Sequence, residues 1–285
     1  MSPRVAVVGA FAEALRGPVF RCAAAREALA SGAVLTVVSE ADWLEAQAWA
    51  PASSIFAVVT RSLSREACGQ FLLDSRVRHV LFEGATLGLE LQETIDLASG
   101  EKALESASLT LGEQGFEVRL HASTEEPALV AKAAAFAEEV GARGRAAENW
   151  LDALSETLTN ALYNAPRENR QLHRAQAVAV DESQPVKLRV FANDRRLAFA
   201  VTDPFGSLTP GQFQGYLARS LHEAPVRAVE KAGGAGLGLM MMFDRLERLV
   251  AMVEPGRQTT MVGIGPLAYS RANLRGRTVQ YFSPL

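Results

Sequence analysis

The sequence predicts an α/β protein in two parts: a parallel sheet alternating with helices, then helices on one face of a mostly antiparallel sheet. In roughly the first hundred residues, short and almost continuously apolar runs are separated by helix-like segments, as expected for parallel strands buried on both faces. After GEQG at 112–115 the pattern changes to alternating strands, a hairpin and longer helices. The predicted boundary lies near residues 100–115, which divides the chain into 1–105 and 106–285.

Four strands are predicted in the first part. The helix most clearly indicated between them spans 64–75, and a further helix begins near residue 93. The pattern shows no fifth strand. The four strand-like runs are RVAVVGA (4–10), AVLTVVSE (33–40), SIFAVVT (54–60) and RHVLFEG (78–84).

The second part begins with an alternating strand at 116–123. A helix then starts at Ser123 or Thr124, with Pro127 close behind, and is predicted to reach Gly141. The remaining predicted elements are a helix at about 145–165, a hairpin of strands 186–194 and 196–203 around Asn193 and Asp194, a helix at 231–246, and two strands within 248–267 joined near Pro255 and Gly256.

The composition is that of an ordinary globular chain and excludes several classes of function. The 285 residues are 48% hydrophobic and 21% charged, with a net charge of −3, so we expect no basic surface for nucleic acid or anionic lipid. Cys22 and Cys68 have no metal-type spacing and are expected to be reduced. Because we find neither a signal-peptide pattern nor an apolar run of about 18 residues, a cytoplasmic protein that binds no membrane is expected.

Three stretches of the second part carry residues suited to binding a ligand. One face of the helix at 145–165 is apolar, and its opposite face presents polar side chains spaced by four residues. Each stretch alone is more typical of a solvated helix face or a turn. A glycine cluster before a helix, however, also lets backbone N–H groups approach an anion at the positive end of that helix. The residues are Glu156, Asn160 and Asn164 in the helix, Asp203 at a strand end, and Gly233, Gly234, Gly236 and Gly238 before the apolar helix.

Taken in order, these stretches resemble the ATP-binding domain of the GHKL superfamily, which includes histidine-kinase catalytic domains, gyrase-type ATPases and anti-sigma-factor serine kinases. The matching segments are ETLTNALYN (156–164) to the N-box, DPFG (203–206) to the G1 box, GAGLGL (234–239) to the G2 box, and GRQTT (256–260) to the site of the last nucleotide-contacting threonine. The resemblance covers about residues 110–267 and implies a Bergerat-type α+β domain. The layout is most similar to the anti-sigma-factor serine kinases, where a strand and one helix precede the N-box helix.

The resemblance implies Mg-ATP as the ligand and a role for each matched residue. Glu156 would be the general base that activates a water or hydroxyl, and Asn160 would hold Mg²⁺ against the triphosphate through its amide oxygen. Asp203 would accept a hydrogen bond from the adenine 6-amino group. The nucleotide-binding residues implied are Asn160, Asn164, Asp203, Gly206, Gly234, Gly236, Leu237, Gly238 and Thr259, with Asn160 also the metal ligand.

The sequence departs from the family pattern in two boxes. The family's G1 box reads D-x-G-x-G, whereas Pro204 and Phe205 follow Asp203 here. Phe205 would either stack on the adenine or fill its site, and the sequence leaves both open. Gln258 stands where the family has glycine before Thr259. Between the G1 and G2 boxes, the lid region at 207–232 offers three candidate phosphate contacts, Arg219, Arg227 and Lys231.

The first part resembles a response-regulator receiver in its strand–helix rhythm alone. A receiver has an acidic pair after its first strand and a phosphorylated Asp at the end of its third. Here the predicted first strand ends at Gly9-Ala10-Phe11 and the third at Thr60-Arg61. We therefore expect a pseudo-receiver used for docking or dimerisation, with an unrelated small α/β domain as the alternative.

Two functions remain open from the sequence. The first is a cytoplasmic signalling protein that binds Mg-ATP and transfers phosphate to, or sequesters, a regulatory partner protein, with serine-kinase or weak ATPase activity. The second is a non-catalytic scaffold with a degenerate nucleotide site. Histidine autophosphorylation is not expected, because no histidine lies in an H-box on an upstream dimerising helix. The expected partners are ATP or ADP, a regulatory protein and, in a homodimer, a second copy of the chain, but not nucleic acid.

Overall fold

The structure is a computed structural model, and it describes residues 5–8, 19–22, 33, 35–48, 50–61, 64–84, 86–99, 114–222, 235–269 and 277–283. The strands in these ranges are β1 Val5–Val8, β2 Val19–Cys22, β3 Leu35–Ser39, β4 Phe56–Thr60, β5 Val77–Phe82, β6 Gln114–Leu120, β7 Val186–Ala192, β8 Arg196–Asp203, β9 Arg248–Glu254, β10 Gln258–Pro266 and β11 Thr278–Phe282. The α-helices are α1 Glu40–Gln47, α2 Arg65–Leu72, α3 Leu87–Ser99, α4 Glu126–Glu139, α5 Arg145–Thr159, α6 Pro210–His222 and α7 Ala235–Arg245.

All eleven described strands belong to one mixed sheet, in the order β2-β1-β3-β4-β5-β11-β9-β10-β8-β7-β6. Strands β1 to β5 pair in parallel with one another, whereas β6, β7, β8, β10 and β9 form a continuous antiparallel run. The structure therefore confirms an α/β protein with parallel strands first and antiparallel strands second.

The parallel part contains a strand that the sequence pattern does not reveal. The absence of a fifth strand was the wrong expectation, because Val19–Cys22 forms an edge strand beside β1. This strand has only four residues, and Arg21 interrupts its apolar run, so it falls below the length at which a buried strand is recognised. As a consequence, the strand that ends at Thr60 is fourth in chain order, and the third ends at Ser39 before Glu40.

The last strand of the chain joins the two kinds of sheet. Strand β11 pairs antiparallel with β5, where Val279 lies opposite Val80, and parallel with β9, where Val279 lies opposite Leu249. The predicted boundary near residues 100–115 falls mainly in 100–113, outside the described residues. The division into 1–105 and 106–285 therefore stays a prediction.

A buried polar network lies where β11 joins the sheet. The Arg248 guanidinium is 2.7 Å from a carboxylate oxygen of Glu93 on α3, and its Nε donates to Gln280 Oε1 on β11 at 2.6 Å. Gln280 in turn donates to Thr94 Oγ1 at 2.6 Å. Because buried charges are costly unless they are paired, this network favours one register of β11 against its neighbours.

The helices α4, α5 and α7 cover one face of the antiparallel strands. Helix α5 packs on β8, β10 and α7, and its Trp150 ring lies 5.6 Å from the ring of Phe199 on β8. Helix α6 occupies the start of the expected lid region and packs between α7 and α2. Within the ranges that the structure describes, no helix is both long and apolar enough to cross a bilayer.

Candidate functional site

A cavity of about 790 Å³ lies among the end of α5, the end of β8, and helices α6 and α7. Its volume is in the range of small-molecule sites, which are mostly apolar and carry a few polar groups. Apolar side chains such as Val201, Met242 and Met261 form part of its wall. Four residues predicted to bind nucleotide, from three separate motifs, also line it: Asn160, Asn164, Asp203 and Thr259.

One end of the cavity is built around a buried carboxylate. Asp203 ends β8, lies opposite Thr259 of β10, and is only 6% exposed. Its Oδ1 accepts a hydrogen bond from the backbone N–H of Phe205 at 2.9 Å. Burial raises the pKa of Asp203 to about 6, although backbone N–H groups of Phe205 and Gly206 act against that shift. The Thr259 side chain and backbone also act against that shift, so Thr259 and Asp203 form one polar pair at this end of the cavity.

The two residues after Pro204 support this end from outside the cavity. Phe205 is half-buried and does not line the cavity. Gly206 also does not line it. Its φ is +56°, and a Cβ there would lie 2.6 Å from the backbone N of Arg257 and overlap the carbonyl oxygen of Glu254. Its observed role is to let the chain pass beneath the β9–β10 turn.

The other end of the cavity is formed where α5 passes into a π-helical turn. The predicted helix at 145–165 is α-helical to Thr159 and π-helical over Asn160–Asn164, with Ala165 N–H donating to the Asn160 carbonyl at 2.9 Å. Such turns occur often at functional sites. The Asn164 amide donates to Asn160 Oδ1, and Asn160 Nδ2 donates to Glu156 Oε1 at 3.3 Å. The three polar residues thus lie side by side, as their spacing predicts.

Glu156 does not line the cavity, but it contacts Asn160, which does. Its two carboxylate oxygens lie 3.2 and 3.3 Å from the two terminal guanidinium nitrogens of Arg174, which follows the π turn. Gly238 lies directly against this side chain, since a Cβ at that position would be 2.7 Å from Glu156 Cδ. The glycine therefore has a packing role here, because it allows α7 to approach the carboxylate.

Helix α7 brings the glycine-rich motif beside the cavity. Gly236, Leu237 and Gly238 lie in its first turn, and Leu239 and Met242 line the cavity. Gly234 lies outside the described residues, as do Arg227, Lys231 and the side chain of Arg219. The expected phosphate contacts from the lid region therefore stay predictions.

The sequence analysis missed one wall of the cavity. The segment that follows the π turn contributes Arg170, Leu172 and His173, and α6 contributes Gln212 and Tyr216. No periodicity marks the first of these segments. Its composition is nevertheless a usable signal, because RENRQLHR at 167–174 carries three arginines and a histidine directly after the N-box-like motif.

The site therefore combines a buried acceptor at one end with an amide, a carboxylate and a helix N-terminus at the other. This arrangement can bind a planar base that donates a hydrogen bond, and an anion near a metal. Comparisons of the sequence with models of protein families and with curated proteins found no match.

Proposed function

We propose that this chain is a cytoplasmic signalling protein that binds Mg-ATP in the cavity and transfers the terminal phosphoryl group to a regulatory partner protein. In this proposal, residues 106–285 form a GHKL-type, Bergerat-like domain related to the anti-sigma-factor serine kinases. The observation that supports it is the convergence of Asn160, Asn164, Asp203 and Thr259 on one cavity. Convergence of separate motifs on one site is expected of a ligand-binding function and is not required of a solvated helix face or a turn.

The Asp203 end suits adenine. Its buried carboxylate would accept a hydrogen bond from the 6-amino group, and Thr259 lies directly opposite it on β10. Guanine presents a carbonyl oxygen at the same position, which would place two acceptors against each other. Val201 and Met261 give this part of the wall the apolar surface that a planar base needs.

The Asn160 end suits the phosphates. Asn160 offers an amide oxygen, which is a ligand type that Mg²⁺ accepts while it keeps phosphate oxygens and water. When bound, the metal would neutralise charge on the phosphates and orient them. The first turn of α7 presents the positive end of a helix beside the same residues. As a partner's hydroxyl oxygen bonds to the terminal phosphorus and the bond to the departing ADP breaks, Glu156 would take the hydroxyl proton.

The first part fits a pseudo-receiver. Its parallel strands follow the order β2-β1-β3-β4-β5, which is the order of flavodoxin-like sheets. The third strand in chain order ends at Ser39 and is followed by Glu40, so no aspartate stands at that strand end. We infer a docking or dimerisation role for this part, with a homodimer as the assembly to test.

A second candidate, the non-catalytic scaffold, is favoured by one contact. The expected base Glu156 has both oxygens engaged by Arg174. Both oxygens then face a guanidinium and not a partner's hydroxyl, so the role of a base requires the arginine to move. The scaffold would still bind a partner protein but would not turn over ATP.

Isothermal titration with ADP and a non-hydrolysable ATP analogue, with and without Mg²⁺, tests the proposal. We expect Mg²⁺-dependent binding that weakens at least tenfold in Asn160→Ala, which corresponds to about 1.4 kcal/mol. Asn149→Ala is the matched control, since Asn149 lies on the same helix but bonds to Tyr269 away from the cavity lining.

Absence of binding to the folded wild-type protein would reject both the kinase and any nucleotide-dependent role. Binding without transfer to any partner, and without hydrolysis above a Glu156→Ala control, would leave the scaffold.

A further inference from the structure

We infer that Arg174 is a sensor of the terminal phosphate: it exchanges its contact with Glu156 for the terminal phosphate of bound ATP, which frees Glu156 to act as the base. The inference rests on the proposed function and adds a regulatory step to it. It also reconciles the two candidate functions, because the contact that favours a scaffold becomes the resting state of an enzyme.

The Arg174–Glu156 pair has the geometry of an exchangeable contact. The two guanidinium nitrogens each face one carboxylate oxygen, and this fork matches a phosphate group as well as a carboxylate. The Arg174 side chain is 51% exposed, whereas that of Glu156 is 11% exposed. Because solvent reaches the guanidinium and screens its attraction to the carboxylate, a more highly charged anion can displace the carboxylate.

The backbone of Arg174 is anchored although its side chain is exposed. Tyr163, in the π turn, donates its hydroxyl proton toward the carbonyl oxygens of Arg174 at 3.1 Å and Gln176 at 2.8 Å. The guanidinium can therefore change partner by side-chain rotation alone. The neighbouring Arg170 lacks this freedom, because its Nε donates to the Asn164 carbonyl at 2.8 Å.

The surroundings of Glu156 place a terminal phosphate within reach of Arg174. Glu156 contacts Asn160, the expected metal ligand, and lies against Gly238 in the first turn of α7. A phosphate held at these two features would therefore lie next to the carboxylate that Arg174 now binds. A second carboxylate is near: burial raises the pKa of Glu126, which accepts a hydrogen bond from Ser155 at 2.8 Å. The positive charge of Arg174 thus offsets the negative charge of Glu156 and Glu126 until Arg174 moves to a phosphate.

ADP lacks the terminal phosphate, so the inference predicts that Arg174 distinguishes ATP from ADP. We would titrate wild type, Arg174→Ala and Arg174→Lys with Mg²⁺ and either ADP or the non-hydrolysable ATP analogue. In Arg174→Ala the affinity for the ATP analogue should fall about tenfold while that for ADP changes less than about twofold. Arg174→Lys should retain part of the preference, since it keeps the charge without the fork.

Arg195→Ala is the control, because Arg195 is an exposed cation in the β7–β8 turn, at the opposite end of β8 from Asp203. An unchanged ratio of ATP-analogue to ADP affinity in Arg174→Ala would overturn this inference but not the proposed function. Equal weakening of both nucleotides would also overturn it, because that result indicates a structural role. Failure of the wild-type protein to bind either nucleotide would overturn the proposed function and this inference together.

Discussion

A carboxylate lies near each end of the cavity, Asp203 in its lining and Glu156 just behind it, and the two are held in different ways. Asp203 is 6% exposed, ends a strand paired to β10, and receives a hydrogen bond from the backbone N–H of Phe205. Glu156 is held by side chains, those of Asn160 and the half-exposed Arg174. Backbone groups fixed in a sheet cannot exchange partners, whereas side chains can. We therefore expect a rigid end that selects the base and an adjustable end that responds to the phosphates.

The same contrast appears in the glycines beside each carboxylate. At Gly206 an added methyl would meet backbone atoms of the β9–β10 turn, and the residue has a positive φ of +56°. At Gly238 the methyl would meet the far end of the Glu156 side chain. Alanine should therefore destabilise the protein much more at Gly206 than at Gly238.

The largest effect is expected for Gly206→Ala. Because neither the positive φ nor the neighbouring backbone can adjust cheaply, the free energy of unfolding should fall by about 2–4 kcal/mol. Denaturant unfolding monitored by circular dichroism measures it. Gly211→Ala in α6 is the matched control, since no atom lies within 4 Å of an added methyl there. A loss below about 0.5 kcal/mol in Gly206→Ala would mean that this end is not rigid.

The pH dependence of stability should identify the buried carboxyl. The pKa of Asp203 is raised from 3.8 to about 6, so between these values the folded protein binds a proton that the unfolded chain releases. The contribution of Asp203 to the unfolding free energy therefore falls as pH rises from about 4 to about 6, by at most about 1.4 kcal/mol per pH unit. Asp203→Asn should remove this component. Identical pH profiles for the two proteins would show that Asp203 is solvated.

Gly238→Ala should separate stability from function. We expect the unfolding free energy to change by less than about 1 kcal/mol, because Glu156 can rotate away and alanine favours the helix by about that amount. The displaced carboxylate would no longer lie beside the expected position of the terminal phosphate, so ATP hydrolysis should fall while ADP affinity changes less than about threefold. A variant as unstable as Gly206→Ala would show that the Glu156 end is also rigid.

The smallest effect is expected for Phe205→Ala. The side chain is half-buried but does not line the cavity, and only its backbone N–H contacts Asp203. Adenine nucleotide affinity should therefore change less than about threefold, which calorimetric titration can resolve. A tenfold change in either direction would show that the ring stacks on the ligand or enters the cavity.

Local patterns predicted the elements that have strong periodicity. The hairpin at Asn193 and the turn after Glu254 lie where the sequence places them. The helical spacing of Glu156, Asn160 and Asn164 also correctly predicted that their side chains lie on the same side of the helix. These features depend on residues within a few positions of one another, which is the range over which sequence periodicity carries information.

Long-range and irregular features escaped prediction for physical reasons. The position of β11 between β5 and β9 depends on pairing with strands far away in the chain. Nothing in the letters NALYN distinguishes a π turn from the α-helix that precedes it. The contact of Arg174 with Glu156 depends on how an aperiodic segment folds back over α5, so only its basic composition was visible in advance.

A crystal structure of the chain with Mg²⁺ and a non-hydrolysable ATP analogue would test the central claim most directly. The account predicts the adenine against Asp203 and Thr259, the metal at Asn160, and the terminal phosphate beside the first turn of α7 with Arg174 turned away from Glu156. Nucleotide bound elsewhere, or an empty cavity in crystals grown with saturating analogue, would contradict it.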